Sequence, residues 1–182
     1  MLELAAQRDK TSQIIELYEK KVALENDLSK ARENLSSIKS SILSEISTMI
    51  NTAMIDINRK ICSDGRIAPS LMLQEKKYTF NIQNDTGTGK AYASLITFDL
   101  AVLQKTVLPF LIHDTMLFKN IENAVFENLA LLYSKQTKQI FIAIDKIDKF
   151  SQPTQEVLHN NCVLQLSYND TLFIKDWKKE SL

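Results

Sequence analysis

The sequence contains little glycine, little proline and no excess of either charge. Its 182 residues include three glycines and three prolines, so long irregular loops are not expected. The 22 basic residues balance 22 acidic ones, whereas a protein that holds DNA by its phosphates usually carries a basic surface. The composition therefore does not indicate a protein that binds DNA by itself.

Cysteines and long apolar runs are also scarce. Cys62 and Cys162 lie far apart and outside any metal-ligand spacing, which is typical of free thiols in a reducing cytosol. The first residues lack the apolar core of a signal peptide, and no run approaches the roughly 20 apolar residues of a membrane helix. We therefore expect a cytoplasmic protein without a membrane segment. The 45% of apolar residues suffices for one core with an extension.

The extension is a predicted coiled-coil arm. From about Asp9 to Lys60 there is no glycine or proline, and two heptad positions are apolar except at Lys21 and Glu45. This seam comprises Ile14, Leu17, Leu24, Leu28, Ala31, Leu35, Ile38, Ile42 and Met49. From Ile46 the apolar stripe continues at the wider helical period, as where a rod enters a globular body. We expect residues 1–62 to require a partner helix; the alternative is a helix folded back on its own globule.

The boundary of the arm is "SDGRIAP", residues 63–69, which contains a glycine, a proline and polar turn residues. Beyond it, "KKYTFNIQ" predicts a half-buried strand, and a helix is expected from about Lys90 to Lys105. "VLPFLIHD" and "KQIFIAID" predict fully buried strands, and "NIENAVFENLALLYSK" and "TQEVLHNN" predict helices. "CVLQLSYNDTLFIKDW" predicts a closing hairpin. Residues 63–182 therefore predict an α/β domain with a mainly parallel central sheet.

The stretch "NDTGTGKAY", residues 84–92, has three interpretations. A P-loop reads G-x-x-x-x-G-K-[ST]; here Gly89 and Lys90 fit, but Asn84 replaces the first glycine and Ala91 replaces the hydroxyl that binds magnesium. A second interpretation is a structural turn that joins a strand to a helix. In the third, free amides and the helix dipole make the start of the following helix an anion-binding site.

Two predicted strands end in acidic residues, Asp114 and Asp145. Because ligands of parallel sheets bind beyond the carboxyl ends of the strands, both carboxylates are expected at one edge of the sheet. Carboxylate oxygens are ligands that Mg²⁺ prefers. We therefore predict Asp114 as the magnesium ligand, with Asp145 as a polar group at the same edge.

In this order the pieces resemble the C-terminal half of an ABC-type ATPase head of the SMC, RecN and RecF kind. The likeness is closer still to the C-terminal domain of bacterial SMC-like coiled-coil ATPases. It rests on the arm and on "YTFNIQNDTGTGKAY", "FDLAVL", "LPFLIHDTMLF" and "LFIKDW". The resemblance implies that residues 63–182 are the C-terminal lobe of a P-loop NTPase head. In such heads a serine-glycine-glycine signature touches the γ-phosphate of ATP held by the opposite head.

The resemblance also implies site residues. The nucleotide contacts that it assigns are Thr86, Gly87, Thr88, Gly89 and Lys90. Asp114 takes the Walker B position, and Asp145 takes the position of the switch histidine. Thr115 stands where a glutamate normally activates water, so slow hydrolysis is expected. His113 is a candidate substitute as the catalytic base, with a core histidine as the alternative, and Glu122 is a second candidate.

The implied function is half of an ATP–Mg²⁺ site shared between two heads, which couples ATP binding to arm movement in DNA maintenance or defence. Its partners would be a P-loop-bearing N-terminal lobe with its own coiled-coil helix, and a second head in a homodimer. Alone, the chain is expected to be inactive. One alternative is a non-catalytic coiled-coil interaction module with a degenerate nucleotide-binding lobe; another is a DNA-binding structural protein.

Overall fold

The structure is a computed structural model that describes residues 2–63, 65–83 and 87–167, with side chains from Lys10 onward. The described chain forms two compact units of mixed α/β composition. The first comprises the residues up to Thr52 together with Ser70–Asn81. The second comprises Ala53–Pro69 and the described residues from Ile82 onward.

Helix α1 runs from Leu2 to Ile61, as the absence of glycine and proline predicts. Its heptad seam is exposed, since the large side chains of the seam from Ile14 to Ile42 are 50% to 68% exposed. The stripe that follows is buried, with Ile50, Met54, Ile57 and Ile61 at most 3% exposed. The change of apolar period near residue 46 therefore coincides with the change from an exposed to a buried helix face. After α1 the chain turns through Gly65, whose φ of +72° favours glycine.

The first unit contains an antiparallel hairpin of β1, Ser70–Gln74, and β2, Lys77–Asn81, joined by a two-residue turn. Helix side chains satisfy the outer edge of β1. Asn51 accepts a hydrogen bond from the Leu71 amide at 2.7 Å and donates one to the Leu71 carbonyl at 2.9 Å. Ser47 accepts another from the Leu73 amide at 3.0 Å. The hairpin is thus fixed to α1 by polar contacts that no apolar pattern reveals, and β1 is absent from the predicted elements.

The second unit contains helices on a parallel strand pair. Its elements are α2 (Thr88–Lys105), β3 (Phe110–His113), α3 (Thr115–Phe118), α4 (Asn123–Tyr133), β4 (Gln139–Ile142) and α5 (Gln152–Asn160). Strands β3 and β4 pair in parallel, with Phe110 opposite Gln139 and His113 opposite Ile142, and α3 and α4 lie in the connection between them. The largest buried apolar side chains of this unit come from these elements, from the loops between them and from the end of α1, where Met54, Ile57 and Ile61 are buried. They include Ile96, Leu100, Leu103, Phe118, Phe126, Leu129 and Phe150.

Three sequence predictions need correction. The described residues form two separate two-stranded sheets, one antiparallel and one parallel, in place of a single mainly parallel sheet. The strands expected to be fully buried are not, because Phe110, Ile112 and Phe141 are exposed, whereas His113 on the other face of β3 is buried. The first strand of the expected closing hairpin is irregular at residues 162–167, and its second half lies outside the described residues.

Within the described ranges, no helix combines the length and the apolar character that a membrane crossing requires.

Candidate functional site

Helix α2 begins at Thr88, immediately after Gly87. Gly87 precedes the helix in an extended conformation, and its carbonyl accepts hydrogen bonds from the amides of Lys90 and Ala91 at 3.1 and 3.3 Å. No side chain caps this end of the helix, and the amides of Thr88 and Gly89 have no hydrogen-bond acceptor among the described residues. Such amides, together with the positive end of the helix dipole, favour an anion.

The start of α2 borders an open cavity of about 340 Å³, which we call the α2 cavity. It is lined by Arg66, Gly87, Gly89, Lys90, Asn120, Ile121 and Glu122. Arg66 forms an ion pair with Glu122 at 2.6 Å, and the Lys90 ammonium donates to the carbonyl of Gln83. The lining therefore holds two cations and one carboxylate beside the helix start, so its formal charge is positive. The sequence did not single out Arg66, which lies in the connection between α1 and β1 and carries no motif.

The two glycines at the start of α2 differ in the space that surrounds them. A β-carbon on Gly89 would lie 2.2 Å from the carbonyl oxygen of Asn120, so close packing excludes a side chain there. Among the described residues, a β-carbon on Gly87 would meet no atom within 4 Å. The structural-turn interpretation thus accounts for the glycine at residue 89. Thr86, the preceding member of the predicted signature, lies outside the described residues.

Asp114 follows β3 directly and is exposed. Its Oδ1 accepts a hydrogen bond from the Thr115 amide at 2.7 Å, so the carboxylate caps the short helix α3. The Thr115 hydroxyl donates to the Ala143 carbonyl at 2.9 Å and so connects the ends of β3 and β4. Asp114 has a capping role whether or not it also binds a metal. Within the described residues, no group of three or more histidine, cysteine or acidic side chains could hold a metal ion.

His113 is buried, with 1% of its surface exposed. Its Nε2 lies 3.2 Å from Asp99 Oδ2 on α2, and its Nδ1 lies 2.6 Å from the Tyr133 hydroxyl on α4. Because a carboxylate only accepts, Nε2 carries the hydrogen, and in the neutral ring Nδ1 accepts from Tyr133. Both ring nitrogens are thus engaged by protein, which is the arrangement of a core histidine; a catalytic role stays a prediction. Asp99 and Tyr133 carried no sequence signal, since an amphipathic helix does not reveal partners on other elements.

Asp145 lies in the loop after β4 and forms an ion pair with Lys119 at 3.4 Å. Both side chains are 61% exposed, so the pair contributes little to stability. Asp145 and Thr115 line one cavity, and Gly87, Gly89 and Lys90 line another. Of the predicted site residues, Gly87, Gly89 and Lys90 therefore line one cavity and Asp145 lines the other. Thr88, His113 and Asp114 line neither.

The contact between Gly89 and Asn120 predicts the effect of alanine on stability. Gly89→Ala should destabilise the protein by about 1–3 kcal/mol through overpacking, although alanine normally favours a helix. Gly87→Ala is the matched control and should change stability by less than about 0.5 kcal/mol. Urea unfolding of the two variants measures the difference, and equal midpoints would contradict the contact.

The burial of Tyr133 leads to a prediction about the stability of the protein at alkaline pH. Burial, and then the negative charge of Asp99, raise the pKa of Tyr133 well above its ordinary value of about 10. The neutral phenol therefore stabilises the native state below about pH 10, and this contribution is lost as the pH rises further. An ultraviolet titration of tyrosinate should show one tyrosine that ionises only with unfolding. Tyr133→Phe should remove that tyrosine, whereas Tyr18→Phe on the exposed arm should retain it.

Comparison with known proteins supports the fold and the family. No curated protein has a sequence that matches the chain. The Smc head domain of Pyrococcus furiosus with an extended coiled coil, bound to the C-terminal domain of ScpA, is 18% identical with a TM-score of 0.54. This match covers 70% of the present chain and 36% of that chain, so the present chain spans only part of that head. A structure from work on ATP-driven dimerisation and DNA-stimulated activation of SMC ATPases is 13% identical, with a TM-score of 0.45, over 59% of this chain and 73% of that one.

The present chain thus has the fold of part of an SMC head and carries a long N-terminal helix. A family profile matches residues 47–177, which is well over half of the chain. The chain belongs to the family described as an uncharacterised protein conserved in bacteria (DUF2326).

Proposed function

We propose that this chain is the C-terminal lobe and the returning coiled-coil arm of an SMC-like ATPase. Residues 1–62 form the arm and residues 63–182 form the lobe. The start of α2 contacts the γ-phosphate of ATP that is held by the P-loop of a second head. The observation that carries the proposal is the start of α2, where the amides of Thr88 and Gly89 have no acceptor among the described residues and where Gly89 and Lys90 line the α2 cavity.

The donor set of the α2 cavity fits a phosphate. Backbone amides at a helix start bind phosphate oxygens without a side-chain ligand, and the adjacent cations Lys90 and Arg66 add positive charge. Thr88 is exposed at the first position of the helix, where its hydroxyl is available as a further donor. The α2 cavity, of about 340 Å³, leaves room for the terminal phosphate of a nucleotide that another polypeptide holds.

Magnesium would be held only in part by this chain. Asp114 Oδ1 accepts from the Thr115 amide, and the exposed carboxylate can offer its second oxygen to a cation. Mg²⁺ takes six ligands and is normally shared between one or two carboxylates, waters and the phosphates of a nucleotide. The remaining protein ligand would come from the P-loop lobe. Bound there, the ion would neutralise charge on the phosphates.

Two exposed apolar surfaces support the view that this chain is one part of a larger head. The seam of α1 presents large side chains at 50% to 68% exposure, which a partner helix would cover. The face of the β3–β4 sheet that carries Phe110, Ile112 and Phe141 is also bare. Parallel sheets are ordinarily covered on both faces, so further strands or helices from the N-terminal lobe would complete this one.

The arrangement at the strand ends argues for slow hydrolysis. Thr115 stands in place of the water-activating glutamate, and its hydroxyl already donates to Ala143. Asp145, at the switch position, is partly neutralised by Lys119, which lowers its repulsion of a phosphate. ATP binding is therefore the step that this half-site can influence most. A ligand that contacts only the engaged heads shifts the population toward engagement and so moves the arms.

The proposal predicts an effect on head engagement in the assembly that supplies the P-loop. Gly87→Gln should place a side chain in the α2 cavity without a steric clash, because the glycine borders open space. ATP-dependent association, measured by sedimentation with a non-hydrolysable analogue and Mg²⁺, should weaken by about tenfold or more. Lys135→Gln, at an exposed position away from both cavities, is the control and should associate normally.

Association that is independent of nucleotide would instead favour the non-catalytic interaction module. Full ATP-dependent association of the Gly87→Gln variant would refute the assigned contact. The isolated chain contains no P-loop sequence and should not hydrolyse ATP. Turnover by the isolated chain that Asp114→Asn abolishes would contradict the division of the site between two lobes.

A further inference from the structure

A second open cavity, of about 210 Å³, lies beyond the carboxyl ends of β3 and β4; we call it the strand-end cavity. It is lined by Thr115, Phe118, Lys119, Phe126, Ile144, Asp145, Lys146, Lys149 and Phe150. The carboxyl edge of parallel strands is a common place for ligands in α/β proteins. Apart from Asp145, its ion-pair partner Lys119 and the neighbouring Thr115, none of these side chains has a place in the proposed nucleotide site.

The floor of the strand-end cavity is aromatic and firmly packed. Phe118, Phe126 and Phe150 are at most 6% exposed. The rings of Phe126 and Phe150 stack with centroids 4.4 Å apart, and Phe118 meets Phe126 edge-on at 5.0 Å. A floor held from several sides offers an apolar contact without rearrangement. It therefore suits an apolar group that is inserted from outside.

The rim of the cavity is basic. Lys119 is paired with Asp145, whereas Lys146 has no ion-pair partner among the described residues. Lys149 lies over the Phe150 ring, with its ammonium 4.9 Å from the centroid. The three lysines exceed the one carboxylate of the lining, and Asp148 belongs to the same loop but not to the lining. The charge of the rim is thus complementary to an acidic partner.

The volume of the cavity indicates which kind of ligand it can hold. Cofactors and drug-sized ligands usually occupy about 300–1,000 Å³, so this space better suits one side chain of a larger partner. A nucleic acid backbone would meet the lysines and leave the aromatic floor unfilled. An acidic peptide with one apolar anchor would use both surfaces, as anchor residues in protein interfaces do.

We propose that the strand-end cavity docks an acidic segment of a partner protein. One aromatic or large aliphatic side chain of that segment rests on Phe118, Phe126 and Phe150. Flanking carboxylates of the segment meet Lys146 and Lys149. This docking does not depend on nucleotide and is available to the isolated chain.

The test uses the full chain and three labelled pentapeptides in fluorescence anisotropy. The first peptide has a central phenylalanine flanked by two glutamates on each side. The second replaces the phenylalanine by alanine, and the third replaces the glutamates by lysines. The phenylalanine–glutamate peptide should bind at least about tenfold more tightly than either of the others, because it alone provides both the anchor and the charge.

Charge-reversed variants locate the binding. Lys146→Glu combined with Lys149→Glu should weaken the first peptide by at least about tenfold. The matched control combines Lys105→Glu with Lys135→Glu, which makes the same change of charge at exposed positions that do not line the cavity, and it should bind normally. The proposal is overturned by equal binding of the alanine peptide, by equal loss in both double variants, or by absence of binding. Tighter binding of an oligothymidine of the same charge, lost in the first double variant, would assign the cavity to nucleic acid and overturn it too.

Discussion

The close approach of Gly89 to the carbonyl of Asn120 is the contact on which the α2 cavity depends. It brings the first turn of α2 against the turn that joins α3 to α4, so backbone donors and Glu122 border the same space. A side chain at residue 89 would separate these segments. At Gly87, two residues earlier, a β-carbon would meet no described atom within 4 Å. Packing against Asn120 therefore requires a glycine at residue 89, and it does not require one at residue 87.

In the second unit, a buried polar network joins α2, β3 and α4. Asp99 of α2 and Tyr133 of α4 hold the ring of His113, which stands immediately before Asp114. A polar group in the core is tolerated because it is hydrogen-bonded on both sides. The helix that starts at the α2 cavity is thus linked to the strand that delivers Asp114. In the proposed ATPase, the network would keep phosphate donors and the magnesium ligand in fixed relation.

The sequence predicted the helices and strands better than it predicted which residues pack against them. The helical pattern of α1, the change of period near residue 46 and the strands β2, β3 and β4 are confirmed, because apolar periodicity reports local backbone structure. Apolar periodicity did not predict β1, whose edge amides donate hydrogen bonds to Asn51 and Ser47. Apolar periodicity also predicted the wrong burial for β3 and β4. A continuous apolar strand indicates that both of its faces are covered, but it does not indicate which elements cover them.

By itself, the sequence determined the long helix with its exposed seam, the turn after it and the order of helices and strands. These features follow from residue spacing and from the positions of a few glycines and prolines. Only the tertiary structure decided that Gly89 meets Asn120, that Arg66 and Lys90 border one cavity, and that three phenylalanines lie beneath a basic rim. The reason is physical: such contacts join residues far apart in the chain, and local periodicity carries no information about which distant side chains will share a space.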